Sequence, residues 1–408
     1  MPWKVSEVVN ERMRFVTRLE AGERMTDLCR EFGISRKTGY KFWGRYCIGG
    51  PEALFDESRR PTYHPSTTPD GIRELVVRLR RMHPTWGSRK LKAVLEREFP
   101  DLNFPSHSTI AVILSREGLV KPRRERRRRR ASPTSLSDSH APNHIWCADF
   151  KGEFRLGNRK VCYPLTISDH YSRYLLACEC LEGTKTPGVK AVFEATFRKY
   201  GMPGIIRTDN GTPFASSGLA GLTNLSVWWM RLGIIPERIS PGHPEQNGRH
   251  ERIHLTLKQE TIRPAAYNFL QQQERFDRFQ DEYNLARPHE ALEMKMPLEV
   301  YTTSCKRFPE VLPPLEYPLH DVTKTVFKDG HISFGRKRAY YIGAALAGQP
   351  IGLREVRERY WLVSFMDKKL GYLDERKRKV VQSVPALTPP RASKGKRYPV
   401  SESASGPP

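Results

Sequence analysis

The chain has 408 residues, with 69 Lys plus Arg against 45 Asp plus Glu and a formal net charge of +24. At about 100–200 residues per domain that length predicts several domains, and the charge excess points to a polyanion, most simply nucleic acid. No apolar run approaches the ~18 residues of a membrane span. Residues 1–30 lack a secretory signal's apolar stretch, and the seven Cys are scattered without a C-x-x-C pair, which argues against a disulfide framework and a thiolate zinc site.

About half of the positive excess sits in the first third of the chain. Residues 1–60 read as a small helical module. Glu7–Leu19 carries apolar residues at helical spacing and Met25–Phe32 is a second short helix. Gly33 supplies a turn, and Ser35 is the N-cap of a third helix running to about Tyr46. That third helix opens with Arg36, Lys37 and Thr38 and continues with Lys41, the order of a helix-turn-helix unit whose second helix meets base edges. Gly39 is an internal weakness of this helix on propensity alone. The Pro/Ser/Thr-rich stretch Asp56–Pro69 reads as a linker. Residues 70–120 repeat the pattern with helices over Ile72–Met82, Leu91–Phe99 and Ser108–Glu117, the last stopped by Gly118. Residues 121–142 form a basic linker, densest at Lys121–Arg130, where Arg126, Arg127 and Arg128 are expected along phosphates.

From residue 143 the texture changes. Ile145–Phe154, Lys160–Ile167 and Tyr174–Leu181 are β-prone segments at hairpin-compatible spacing. A helix over Thr186–Tyr200, a short buried strand over Gly204–Thr208 and a long helix over Asn247–Thr261 follow, with a loop around Ala215–Asn224. Three strands in a meander, then helix, strand and helices, is the order of an RNase H-like α/β core, assigned to 143–303 with 270–303 helical. Residues 314–385 predict short strands with Gly turns, read as a small C-terminal β-barrel, and 386–408 reads as a disordered tail.

Three acids stand out by context. Asp149 lies in an otherwise apolar strand, where a carboxylate is costly without compensation. Asp209 follows the strand Gly204–Thr208 and precedes Asn210-Gly211, a turn at the strand's C-terminal edge, where ligands of α/β sheets collect. Glu251 lies early on the helix from Asn247, within one face of which Asn247, Glu251, His254, Leu255 and Lys258 fall. Each residue alone also has a plain structural reading: a buried acid on backbone donors, a turn residue, a solvated helix carboxylate. Asp169, in Ser168-Asp169-His170, reads as a structural turn residue, and His243, His250 and His254 as residues that position the loop or meet DNA.

Trp146-x-x-Asp149-Phe150-Lys151, then Arg207-Thr208-Asp209-Asn210-Gly211-x-Pro213-Phe214, then Pro241-Gly242-His243-Pro244-Glu245-Gln246-Asn247-Gly248-x-x-Glu251-Arg252 with Leu257-Lys258 resemble the three blocks of the DDE transposase and retroviral-integrase core. Tyr283-Asn284-x-x-Arg287-Pro288-His289 resembles the segment after that core in bacterial insertion-sequence transposases. The paired helix-turn-helix front end is similar to that group as well. Two departures stand out: 41 residues separate Asp209 from Glu251, more than the family's usual spacing, and no His/Cys zinc module precedes the core.

The resemblance implies a transposase that binds the terminal inverted repeats of an insertion sequence, cuts 3′ ends and joins them to target DNA. It implies Asp149, Asp209 and Glu251 as catalytic ligands of two Mg²⁺ ions, with Mn²⁺ as a substitute, and Lys258 at the DNA backbone. Homo-oligomers on double-stranded DNA, a cytoplasmic, nucleoid-associated location in bacteria and no membrane partner follow from it. A DNA-binding regulator with an inert core, and a nuclease that cuts without joining, are the rival readings.

Overall fold

The computed structural model describes residues 8–56, 67–120, 136–216, 218–240, 243, 246, 248–335 and 338–383. Arg126, Arg127, Arg128, most of the basic linker, Asn247 and the 386–408 tail lie outside the described residues. The chain divides into two compact units, Met1–Pro69 and Asp70–Pro408. No helix among the described residues is long and apolar enough to cross a membrane.

The first unit holds α1 (Val8–Glu20), α2 (Met25–Glu31) and α3 (Arg36–Gly49). Gly33 takes φ +66° at the turn, and the Ser35 hydroxyl accepts the Thr38 N–H at 3.1 Å, satisfying a free donor of the first turn. Phe15, Val16, Leu28, Phe42 and Leu54 form its core. Gly39 is the point where α3 presses on its neighbours: a Cβ there would lie 2.7 Å from Cys29 Sγ, 2.8 Å from Met25 Sδ and 3.0 Å from Phe15 Cζ. The missing side chain is a packing requirement.

The second unit begins with α4 (Asp70–Met82), α5 (Ser88–Glu98) and α6 (His107–Arg116), packed around Trp86, Leu91, Ile110 and Leu114. A mixed sheet follows, made of β1 (Ile145–Phe150), β2 (Phe154–Arg155), β3 (Val161–Asp169), β4 (Leu175–Leu181), β5 (Ile205–Thr208) and β6 (Ile235–Arg238). Pairing runs β4–β3–β1–β5–β6, with β2 on the start of β3; β1, β3 and β4 are antiparallel, while β5 and β6 run parallel to β1. α7 (Thr186–Tyr200) and α8 (Asn224–Arg231) cover one face, burying Phe193, Phe197 and Trp229 against Trp146, Ala148 and Ile167. α9 (Gly248–Leu257) and α10 (Phe269–Leu285) cover the other with Ile253, Leu257, Phe276 and Phe279.

The meander, α7 and β5 match the expected order. The pair α8 and β6 was not expected and extends the sheet beyond β5. The helix over 270–303 is corrected: α10 stops at Leu285, because Pro288 lacks a donor and restricts Arg287. Only a short turn at Glu290–Leu292 and α11 (Pro297–Val300) follow.

The C-terminal β-barrel is also corrected. β7 (Val322–Thr325), β10 (Pro350–Arg357), β11 (Tyr360–Phe365), β12 (Lys368–Asp374) and β13 (Lys379–Val381) form an open sheet in the order β13–β12–β11–β10–β7. The hairpin of β8 (His331–Phe334) and β9 (Arg338–Tyr341) is a separate two-stranded sheet that adds Ile332 and Tyr340 to the same core. Closure would need β13 to pair onward to β7, and β13 has only 3 residues.

Gly39→Val is expected to cost about 1–3 kcal/mol by overpacking, although Val is the better helix former. Faster amide hydrogen exchange confined to α1–α3 would report it.

Candidate active site

Alternation along β1 decides where its acid points. Trp146 and Ala148 enter the core beneath α7 and α8, so Cys147 and Asp149 face α9. The last registered pair of the parallel ladder is Ala148 with Thr208. Asp149 and Asp209 therefore stand side by side, on strands spaced roughly 4.8 Å apart. The Asp149 side chain is 15% exposed. The Asp209 carboxylate folds back over its turn: a Cβ at Gly211 would sit 2.8 Å from Asp209 Oδ2, so only glycine leaves that space. Burial raises the Asp209 pKa, opposed by a backbone hydrogen bond from Gly211. Arg207, next to this turn, is buried and pairs with Glu237 at 2.7 Å, tying β5 to β6.

α9 is seated on the sheet by a polar cluster. Thr166, the register partner of Asp149, lies 2.6 Å from His250 Nε2 and 2.8 Å from His254 Nε2. Its Oγ1 also donates to the Asp149 carbonyl at 3.2 Å. With one proton and two lone pairs on that oxygen, the cluster closes when both imidazoles donate through Nε2. His250 Nδ1 can then accept from Ser168 Oγ at 3.3 Å. Burial pushes the His250 pKa down to about 4 and that of His254 well below its ordinary value, so both rings are neutral at pH 7. His254 Nδ1 lies 4.0 Å from Asp149 Oδ2, a proximity between a neutral ring and a carboxylate.

Glu251 and Lys258 project from one flank of this helix, about 20° apart at 100° per residue. Glu251 is exposed, and Lys258 opens a π-helical turn, Lys258–Ile262, that continues α9. Lys151 shares this neighbourhood: burial and the charge of Lys258 lower its pKa, while Asp149 opposes the shift. Lys151 was not singled out from the sequence; its place next to Asp149 in the first motif was the available signal. The structure thus brings Asp149, Asp209, Lys151 and Lys258 to one edge of the sheet. It does not gather Glu251 into a closed cluster. Among the described residues no group of three or more His, Cys, Asp or Glu is placed to hold a metal ion.

Asp169 is the turn residue the sequence suggested: its carboxylate accepts the Asn143 N–H at 2.7 Å, the Ser172 N–H at 2.7 Å and the Ser172 hydroxyl at 2.6 Å. Arg36, Lys37 and Lys41 are exposed at the front of α3. Thr38 is half-buried and its hydroxyl meets Ser35 Oγ at 2.9 Å within the cap.

Two family models described as Integrase core domain match residues 139–244 and 232–297. Residues 139–297 of the chain are thus matched as an integrase-type core. A Helix-turn-helix domain model matches residues 11–62 and a Homeodomain-like domain model residues 38–114. The chain is similar to an uncharacterized 39.2 kDa protein of insertion element IS476 from Xanthomonas euvesicatoria, 27% identical over 227 residues, covering 55% of this chain and 63% of that protein. An uncharacterized 31.7 kDa protein of insertion element IS407 from Burkholderia multivorans is 27% identical over 247 residues, covering 59% and 85%. Among solved structures, the HTLV-2 integrase catalytic core domain in complex with magnesium is similar at 16% identity and TM-score 0.32, over 40% of this chain and 98% of that one. A simian T-cell lymphotropic virus intasome chain is similar at 14% identity and TM-score 0.36, over 70% and 91%.

The neutral histidines give the core a pH signature. His250 titrates near 4 in the fold against an ordinary 6.5, so the unfolded chain binds more protons between those values. Its contribution is full above pH 6.5 and is expected to fall away as the pH drops towards 4, as urea unfolding at pH 7.5 and 5 would measure. Thr166→Val is expected to cost about 1–3 kcal/mol at pH 7.5 by leaving buried imidazole N–H groups unpaired.

Proposed function

We propose that the chain is the transposase of a bacterial insertion sequence, binding its terminal inverted repeats, cutting 3′ ends and joining them to target DNA. The carrying observation is the pair of carboxylates, Asp149 and Asp209, on adjacent parallel strands with Lys151 and Lys258 beside them. The likeness to insertion-element proteins supports the reading.

The donor set suits a hard divalent cation: carboxylate oxygens, half-buried, at an open strand edge. In this reading Asp149, Asp209 and Glu251 would hold two Mg²⁺ ions, with Mn²⁺ as a substitute. Such ions, when bound, stabilise negative charge on the attacking and leaving oxygens of a phosphodiester. The chain's own residues supply the rest. Neutral His250 and His254 fix α9 without adding charge beside the carboxylates. Lys151 and Lys258 offer ammonium groups to the backbone of the strand being cut. Arg36, Lys37, Thr38 and Lys41 meet the terminal repeat, and Arg126, Arg127 and Arg128 follow phosphates between the modules. Pairing two element ends calls for a homo-oligomer on DNA, acting at the bacterial nucleoid.

Asp149→Asn is expected to abolish cleavage of a labelled terminal-repeat duplex in Mg²⁺ while duplex binding, read by mobility shift, is unchanged. Undiminished cleavage by that variant overturns the assignment. A pre-cut 3′ end offered with a target plasmid separates a transposase, which joins them, from a nuclease, which does not; a pure DNA-binding regulator gives neither product.

A further inference from the structure

α9 has a second flank. Arg249, Arg252 and Thr256 line up on the side of the helix turned away from Glu251 and Lys258. They border a cavity of about 630 Å³ that also reaches Lys90 of α5, His170 and Arg173 of the β3–β4 turn, and His289. The His170 carbonyl gathers two guanidiniums, accepting Arg173 Nη1 at 2.6 Å and Arg249 Nη1 at 3.4 Å. Among the described residues Lys90, Arg173, Arg249 and Arg252 have no carboxylate within ion-pair distance. The two acids on the wall answer them only in part: the charge of Glu290 opposes the lowering of Lys90, and that of Asp169 the lowering of Arg173. Asp169 is turned into its own hydrogen bonds, and Glu290 is exposed, 3.9 Å from Arg89 outside the cavity. Arg287, which also borders the space, is already paired with Glu260 at 3.0 Å.

Cations gathered with no carboxylate in direct contact are costly, and the cost is visible in the groups themselves. Burial and the charge of Arg287 push Lys90 down to about 8, and burial and the charge of Arg249 push Arg173 down to about 10. A second, independent observation points to a ligand: the buried Nε2 of His289 has no hydrogen-bond partner. Gly248 lines the same wall and brings the positive end of the α9 dipole to it.

We propose that this cavity is a phosphate-binding site, separate from the carboxylate edge, with Lys90, Arg173, Arg249 and Arg252 as its charge and His289 as a neutral hydrogen-bonding partner. Guanidiniums and an ammonium converging from three segments match an oxyanion with several acceptor oxygens. The phosphate comes either from a DNA backbone at a point away from the scissile bond, which rests on the transposase reading, or from a free phosphate or phosphomonoester, which does not.

Titration calorimetry of the full chain with inorganic phosphate tests the site. Wild type is expected to bind, and Lys90→Met and Arg252→Ala each to weaken binding about tenfold. Arg252 is exposed, so its variant keeps the fold even where a change at Lys90 disturbs it. The salt dependence of binding to a duplex of unrelated sequence names the source. A log–log slope shallower by roughly one in either variant assigns the site to a DNA phosphate. An unchanged slope with weakened phosphate binding assigns it to a free phosphate or monoester. No phosphate binding by wild type, or the same affinity in both variants, overturns the proposal. Asp149→Asn keeps both readouts, so an error in the cleavage reading shows in cleavage alone.

Discussion

The parallel pairing of β1 with β5 is the constraint on which the site depends. It is a register, and a shift of one residue would turn Asp149 into the core and Trp146 out of it. The register is held from both sides. Trp146 and Ala148 are buried against α7 and α8, and Arg207 is tied to Glu237 on the next strand. Two carboxylates on neighbouring strand ends repel one another, and burial of Asp209 adds to the cost. The Gly211 turn and the ammonium of Lys151 offset part of it.

α9 translates that register into a surface. Its buried stripe of His250, Ile253, His254 and Leu257 fixes the helix rotation, and Thr166 fixes its height along β3. The two flanks then follow without further choice: Glu251 and Lys258 towards the carboxylates, Arg249 and Arg252 away from them. Charged imidazoles in the stripe would put positive charge into the core beneath the site. Burial keeps them neutral, so they act as hydrogen-bonding wedges.

The legible part of the fold was the part with strong local pattern. The meander, α7, β5 and the first module's α3 announced themselves through alternation, periodicity and the N-cap residue Ser35. α8 and β6 did not, because an eight-residue helix and a four-residue strand containing Pro236 carry too little periodicity. Short strands in the C-terminal region could be read from the sequence but closure could not, since closure depends on which edges pair. Gly39 shows the opposite failure: propensity marked it as a flaw, while its meaning lies in Cys29, Met25 and Phe15 across the interface. Asp149 and Asp209 could be found from motif and strand context. Lys151 needed the position of Lys258, and the cationic cavity needed four segments brought together.

The motif at residues 283–289 shows how a recognisable pattern can be structural and functional at once. β4 is an edge of the sheet, and a bare edge invites pairing with other chains. α10 closes it with amides on one face. Gln273 accepts the Cys180 N–H at 2.8 Å and donates to the Cys178 carbonyl at 3.0 Å; Gln280 donates to the Leu176 carbonyl at 3.1 Å. Asn284 accepts from Leu175 at 2.8 Å and donates back to its carbonyl at 2.9 Å. One turn later Arg287 bonds Glu260 and, at 3.0 Å, Thr85, joining the helical module of α4–α6 to the core. Tyr283 is buried beneath. With those residues committed to holding the edge and the junction, His289 is the member left with an unpaired buried nitrogen. The same turn that fastens α5 to the core thereby sets Lys90 opposite Arg249 and Arg252, so the charge of the cavity follows from how the module is docked.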